Sequence, residues 1–493
     1  MTPGRLSRWS IPLMVAAIMA VACFVQAQDE DPGLASFNEG VEHYEAGRLE
    51  QARDAFATAL EARPDDATVL VWLGSVSLQL GEAEAAIGHL QRAIELDPDY
   101  AVSYNNLGNA YLATGDLARA EEQYRLALER DPEYFDAEYN LANLYTRQGE
   151  YDRAFNAYNR ALAINPNDFE ARMSFGHALR KTGDTEKAIR EFEAARAIDA
   201  TGADVHSVLG TLYIKSGRTQ EAIESYRAAL AVDPNLVEAH VGLGLALYNT
   251  GDYNGAIEQW TAASELDPSS FAARYNTGLA CAALNDYASA AEAYQAALAI
   301  RPGDPNTLNN LGWALYEQNQ ATEAADYFRQ AIAANPDLQV AHLNLALALE
   351  RAGQKDEALA QWQEASTRFP DSAAAHVGLA NLYYERGDYD NALPAYQRTL
   401  ALDATNLEAH NNAGLIYLKQ GNLTEAVVQF RAALTADPNY VYALNNLGVA
   451  LEKQGDLRGA LEQYEKALQV QPDYSPAQRN RDRLQGSLGA VQG

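Results

Sequence analysis

The sequence predicts an all-α fold, an α-solenoid of stacked helix pairs, and three observations predict it. Aligned against itself at an offset of 34 residues, the chain keeps one register from Gly33 to Tyr474 without insertion or deletion, giving thirteen tandem repeats. Ala, Leu, Tyr, Glu and Asn are abundant while Val and Ile are sparse outside a few stretches, which favours helix over sheet. Each repeat carries small residues and one large ring at fixed places, the means by which two helices approach closely and fill the space beside them. An ordinary globular chain of this length would divide into about three domains. A stacked array is not bounded by a single core, so that expectation does not apply.

The elements follow in chain order. Residues 1–27 read as a signal peptide: Arg5 and Arg8 form a basic start, Ile11 to Val25 is an apolar run of 15 residues, and Val25-Gln26-Ala27 puts small residues at the cleavage point. The run is short for a membrane span. Cleavage after Ala27 leaves a short leader, 28–32, and an exported protein with no membrane insertion: periplasmic or of the cell envelope in a bacterium, secreted otherwise. The alternative is a lipid anchor on Cys23, in the stretch Ala20-Val21-Ala22-Cys23. Once the leader is removed only Cys281 remains, on an apolar helical position, so no intrachain disulfide forms and the thiol reads as buried.

Within the repeats, 33–474, positions are numbered 1 to 34 from Gly33. Position 20 is Ala in all thirteen and position 27 in twelve, Thr399 departing; position 8 is Gly in ten and Ala in three; position 24 is aromatic in twelve, with Leu90 the exception. Position 15 is Gly in eleven repeats and Asn in two, Asn285 and Asn319, the residues that best accept the left-handed conformation ending a helix. Position 16 is often Asp, as in Asp116, Asp184, Asp252 and Asp456, which suits an N-cap. Position 32 is Pro in eleven repeats, expected in the first turn of a helix. Each repeat is thus helix A (about positions 3–14), a tight turn, and helix B (about 17–30). Repeat eleven differs, with Pro394 inside helix B, Thr399 for Ala and Ala404 for Pro; a kink is expected at Pro394. Residues 475–486 read as a capping helix with Arg479, Arg481 and Arg483 exposed, and 487–493 as a frayed tail.

The repeat resembles the tetratricopeptide repeat, shown well by repeat three: Tyr104, Leu107, Gly108, Tyr111, Ala120, Tyr124, Ala127 and Pro132. The resemblance implies a right-handed superhelix with helix A lining its concave face.

The net charge of −30 falls to −32 when residues 1–27, with Arg5 and Arg8 and no acid, are removed (−30 − 2 = −32). Such a field repels phosphate backbones and argues against nucleic acid as partner. No zinc-protease, phosphate-loop, paired-cysteine or serine-hydrolase motif is present, so neither enzyme activity nor a cofactor is expected. Five of the eight histidines, His206, His240, His342, His376 and His410, share position 4. On successive helices A they are too far apart to converge on one metal ion and read as packing residues.

The informative row is position 6. Asn occupies it in eight repeats, as Asn38, Asn106, Asn140, Asn276, Asn310, Asn344, Asn412 and Asn446. Asn is a poor mid-helix residue, so its recurrence asks for a reason. An amide offers donor and acceptor together, and a file of amides suits gripping the backbone of an extended peptide. The alternative is that the amides bond within or between repeats. The stretches Ala341 to Leu349 and Ala409 to Leu418 resemble helix A of the superhelical domain of O-linked N-acetylglucosamine transferases, without the transferase domain. That resemblance implies peptide binding by the Asn file. Trp72, Ser174, Val208, Gly242 and Gly378 interrupt it. Repeat nine adds Asn306, Asn309, Trp313 and Tyr316 at helical spacing, with Trp and Tyr the usual anchors of binding hot spots. Position 13 is basic in consecutive repeats at Arg147, Lys181 and Lys215, either to meet acidic groups on a ligand or to complement the helix dipole. The family's carboxylate clamp is not supported, since positions 2 and 5 carry no Lys or Arg in any repeat.

Positions 2, 5, 6, 9 and 13 of helix A are therefore expected to face a groove that takes other proteins or peptide segments. Alanine at the position-6 asparagines is expected to leave folding intact. Two other functions fit the same sequence: an envelope assembly component acting through its convex face and edges, and an accessory subunit of a separate enzyme.

Overall fold

The computed structural model of the chain describes residues 31–492, with side chains to 487. The regular elements among these residues are 27 α-helices. The chain forms two compact units, one ending at Thr250 and one starting at Gly251. The first holds repeats one to six and helix A of repeat seven; the second holds helix B of repeat seven, repeats eight to thirteen and the terminal helix. The leader, its cleavage point after Ala27 and Cys23 lie outside the described residues. No helix among the described residues is long and apolar enough to cross a membrane.

In each repeat, helix B takes positions 17–30, as Leu117–Arg130 does in repeat three. Helix A starts at position 1, two residues earlier than expected, as in Ala101–Thr114, except in repeat one, where it starts at Pro32. Position 34 is the reason: it is the N-cap, and Asp66, Asp168, Asp304 and Asn406 accept backbone N–H groups of the helix that follows. The proline of position 32 is consequently in the turn between repeats and not in a helical first turn. There its fixed φ suits the turn, and the Asp or Asn before it accepts the N–H two residues on, as Asp233 does from Asn235 at 2.9 Å. Between helices A and B, position 15 is left-handed throughout, including Asn285 (φ 61°) and Asn319 (φ 63°). Asp116, Asp252 and Asp456 cap helix B as expected. Asp184 does not; its carboxylate takes Lys187 at 2.6 Å instead.

The packing rule is simple and repeats. Every position-20 alanine is fully buried, and a large residue at position 24 lies under the glycine at position 8. A Cβ added to Gly108 would stand 2.6 Å from the Tyr124 ring, and one added to Gly278 would stand 2.5 Å from Tyr294. Glycine is there because the ring needs the space.

Repeat eleven keeps this scheme. Pro394 lies within Tyr389–Leu402, a helix of the same 14-residue span as the other helices B, so the missing N–H does not shorten it. Thr399 is fully buried, and its hydroxyl donates to the Ala395 carbonyl at 3.0 Å. Cys281 is buried, and burial, with Asp286 nearby, holds its thiol above the usual pKa. The terminal helix is Ser475–Gln492, running past residue 486 through the stretch expected to fray. Ala477 and Leu484 anchor it on repeat thirteen, and Arg483 pairs with Glu452.

Candidate functional site

Six of the eight position-6 asparagines belong to relays that run through the residue before them. In the first unit, Asn140 Nδ2 donates to Asn105 Oδ1 (2.9 Å), Asn105 Nδ2 to Asn106 Oδ1 (3.3 Å), Asn106 Nδ2 to Ser75 Oγ (3.1 Å), and Ser75 Oγ to the Val71 carbonyl (2.9 Å). This relay ties repeats two, three and four together in one direction of donation. The second unit has two more. Asn344 donates to Asn309 (3.0 Å), Asn309 to Asn310 (3.3 Å), and Asn310 to the Tyr275 hydroxyl (3.2 Å). From the terminal helix, Asn480 donates to Asn445 (3.0 Å), Asn445 to Asn446 (3.3 Å), Asn446 to Asn411 (2.9 Å), Asn411 to Asn412 (3.1 Å), and Asn412 to the Tyr396 hydroxyl (3.1 Å).

These bonds change what helix A presents. Asn105, Asn309, Asn411 and Asn445, all at position 5, are buried, as are Asn106, Asn140 and Asn344 at position 6. Positions 5 and 6, expected on an open face, are therefore largely committed to contacts between repeats. Asn310, Asn412 and Asn446 are half-buried, Asn38 is exposed, and half-buried Asn276 makes no hydrogen bond. The expectation that alanine at Asn310, Asn344, Asn412 and Asn446 leaves folding intact is corrected accordingly. Each loses a bond to a neighbouring repeat, and a buried partner is left without its own.

Two interruptions of the file, Gly242 and Gly378, have steric causes. A Cβ on Gly378 would meet the Trp362 indole at 2.6 Å, and one on Gly242 would collide with the Tyr226 ring. The helix-B ring of the preceding repeat fills the place of an amide. Trp72 is itself core, packed against Tyr44 (ring centroids 5.2 Å apart) and Phe56 (5.4 Å). Ser174 takes the Tyr139 hydroxyl at 3.0 Å, the same partner type that Asn310 finds in Tyr275.

What stays open on helix A is carried by positions 2, 9 and 13. In repeats eight to ten position 9 is apolar: Leu279 and Trp313 are half-buried and Leu347 is 37% exposed. Trp313 stacks on Tyr316 with centroids 5.1 Å apart, and the Arg351 guanidinium lies over the Tyr316 ring at 4.3 Å. Asn306, at position 2, is exposed. Of the expected site residues, Asn276 and Trp313 remain on this face, while Asn309 is an inner relay member.

The position-4 histidines are also links between repeats. The Nε2 atoms of His206, His240, His342, His376 and His410 lie 3.0 to 3.1 Å from the carbonyl six residues earlier, at position 32. A carbonyl only accepts, so each ring is protonated at Nε2. Tyr104 and Gln478 make the same contact. Among the described residues no group of three or more His, Cys, Asp or Glu side chains is placed to hold a metal ion. Position 5 was expected on the open face; the doubled asparagines at 105–106, 309–310, 411–412 and 445–446 are the sequence signal of its role between repeats.

Comparison with known proteins agrees with this repeat architecture. The tetratricopeptide repeat family matches residues 37–101, 105–169, 241–305, 343–406, 377–441 and 411–476, with further matches to repeats of the same type at 145–212, 210–251 and 305–338. A comparison with curated proteins returned no match. Among solved structures, the chain is similar to the Cut9–Hcn1 hetero-tetramer of APC/C (16% identity, 90% of this chain and 99% of that one, TM-score 0.38). It is also similar to YrrB, described as a TPR protein with an unusual peptide-binding site (27% identity, 38% and 96%, TM-score 0.33), and to MamA (24%, 33% and 95%, TM-score 0.32). The narrower likeness to O-linked N-acetylglucosamine transferases is not confirmed by these matches. With matches of one family along most of its length and helix pairs that pack by one rule, the chain belongs to the tetratricopeptide repeat family, whose members are protein–protein interaction scaffolds.

Proposed function

We propose that this protein is an exported, non-catalytic scaffold that holds extended segments of partner proteins on its helix-A face. The observation that carries the reading is the face of repeats eight to ten. There an apolar file of Leu279, Trp313 and Leu347 stands beside Asn276, an amide with both donor and acceptor open. Apolar anchors beside an open amide are what an extended segment needs: side chains dock on the file while the amide takes backbone. The test is site-specific photo-crosslinking in the native envelope. A crosslinker at Leu347 should capture a partner, and one at Val428 on helix B, 56% exposed, should not. Capture at Val428 alone would favour the assembly role acting through the other face. Export has its own test. The mature protein should begin at Gln28, and a lipid-modified Cys23 as first residue would refute cleavage after Ala27.

A further inference from the structure

Helix A of repeats four to six, Phe135–Gln148, Phe169–Thr182 and Ala203–Lys215, ends in exposed cations: Arg147, then Arg180 and Lys181, then Lys215. None of the four makes an ion pair, a side-chain hydrogen bond or a ring contact, although the chain holds 67 acidic residues against 37 basic ones. The acids of the adjoining turns are already engaged: Glu150 pairs with Arg153, Asp184 with Lys187, and Glu221 with Arg218. Asp152 and Glu186 lie in the first turns of their helices B, against the positive helix end. Complementing the dipole accounts for single cations at this position, such as Arg351, Lys419 and Lys453, but position 13 is Glu45, Gln79, Ala113, Asn249, Ala283, Glu317 and Glu385 in the other repeats. Arg351 and Lys419 are engaged by Tyr316 and Tyr389, so open cations on three successive helices A occur in repeats four to six alone. Position 9 in these repeats is Asn143, His177 and Thr211, polar where repeats eight to ten are apolar. His177 packs edge-on against Phe192 at 5.0 Å, and burial, with Arg180 and Lys181 adding, pushes its pKa down to about 4. The ring adds no charge of its own near neutral pH.

We propose that the ends of helices A in repeats four to six form a docking site for a Glu/Asp-rich segment of a partner protein. The inference rests on the protein-binding reading above and names one class of partner for it. Successive helices A are about 10 Å apart, and an extended segment in the polyproline II conformation advances about 3.1 Å per residue with three residues per turn, so every third side chain of a bound segment meets a cation. Size favours a short acidic segment over a nucleic acid or an anionic membrane. Screening confines the field to about 8 Å at physiological ionic strength, so a segment lying on the cluster senses these cations. A duplex or a bilayer reaches far beyond them and meets the acidic remainder of the protein. The nearest acidic row on the same helices, Asp136, Glu170 and Asp204 at position 2, is about 16 Å away along the helix axis.

Fluorescence anisotropy with a labelled oligoglutamate peptide tests this on the full chain. Wild type should bind it, with affinity falling as salt rises. Arg180→Glu/Lys181→Glu should weaken binding by about tenfold or more at an unchanged melting temperature. Should that charge reversal disturb folding, the neutral pair Arg147→Gln/Lys215→Gln decides the matter through a smaller loss, roughly threefold. Leu347→Asp should leave oligoglutamate binding untouched, so loss of partner capture in that variant reports on the proposed function and not on this site. No binding of oligoglutamate, or equal binding by wild type and both basic-cluster variants, overturns the proposal. It is equally overturned if inorganic phosphate competes at matched ionic strength, or if phosphatidylserine vesicles bind through these residues while the peptide does not.

Discussion

Repeats three and four stand beside repeats five and six in the same unit, on the same frame of alanines and rings, and they differ in what the middle of helix A does. In repeats three and four the side chains at positions 5 and 6 bond to one another across the repeats, and Asn105, Asn106 and Asn140 are almost wholly removed from solvent. In repeats five and six the file of amides stops at Ser174 and Val208, and the charges at the end of helix A have no intramolecular partner. A repeat array has a fixed number of polar groups along one face. Where they are engaged with neighbouring repeats they stabilise the stack, and where they are not they are open to a ligand. Asparagine recurrence therefore marks cohesion in this chain more than it marks binding.

The largest effect is expected at Asn105→Ala, which removes the acceptor of Asn140 and the donor of Asn106 in a buried setting. It should cost about 2–4 kcal/mol and accelerate amide hydrogen exchange in repeats two to four. Stability equal to wild type would mean that the relay carries no cohesion. Next comes pH. His177 has a folded pKa of about 4 against an ordinary 6.5, so the folded state binds fewer protons than the unfolded one in that window. Its contribution is complete above pH 6.5 and fades as pH falls towards 4, on the order of 2 kcal/mol after allowance for partial exposure. In melts across that range wild type should lose stability relative to His177→Gln as pH falls, because only wild type must protonate a buried ring; parallel curves would contradict the assignment.

Asn140→Ala should cost about 1–2 kcal/mol, whereas Asn276→Ala, which breaks no bond, should leave the melting temperature level or slightly raised. Equal losses at the two sites would erase the distinction between engaged and open amides. A smaller change is expected from Ser174→Asn, which offers the Tyr139 hydroxyl the partner that Tyr275 has in Asn310. Its effect should stay within about 0.5 kcal/mol, and a large loss would show that the file ends at repeat five for steric reasons. The smallest effect belongs to Arg147→Gln. An exposed cation without a partner should contribute almost nothing to stability, checked by a thermal melt.

The period, the class of fold and the alternation of helix A, turn and helix B are written in the sequence. These follow from local chemistry: Gly or Asn where φ is positive, Asp at a cap, small residues facing a ring. Each acts within one repeat and recurs with it. Helix A starts two residues earlier than expected because position 34 is the N-cap whatever its side chain, with a side-chain bond where it is Asp, Ser or Asn and none where it is Tyr100 or Leu236, and the prolines of position 32 obscure this. Only the tertiary structure decided what the asparagines do. Asn140 and Asn276 share a position and a residue type, yet one donates to Asn105 in the repeat before and the other has Phe271–Ala283 neighbours that offer it no partner. The partner of Asn140 lies 35 residues away in sequence, at position 5 of the previous repeat, where Asn105 stands. Likewise the sequence displayed Arg147, Lys181 and Lys215, but only packing and the pairing of Glu150, Asp184 and Glu221 with other cations left them open to a partner. A hydrogen bond or an ion pair depends on which side chains the stack brings within about 3 Å, and composition at one position does not contain that distance.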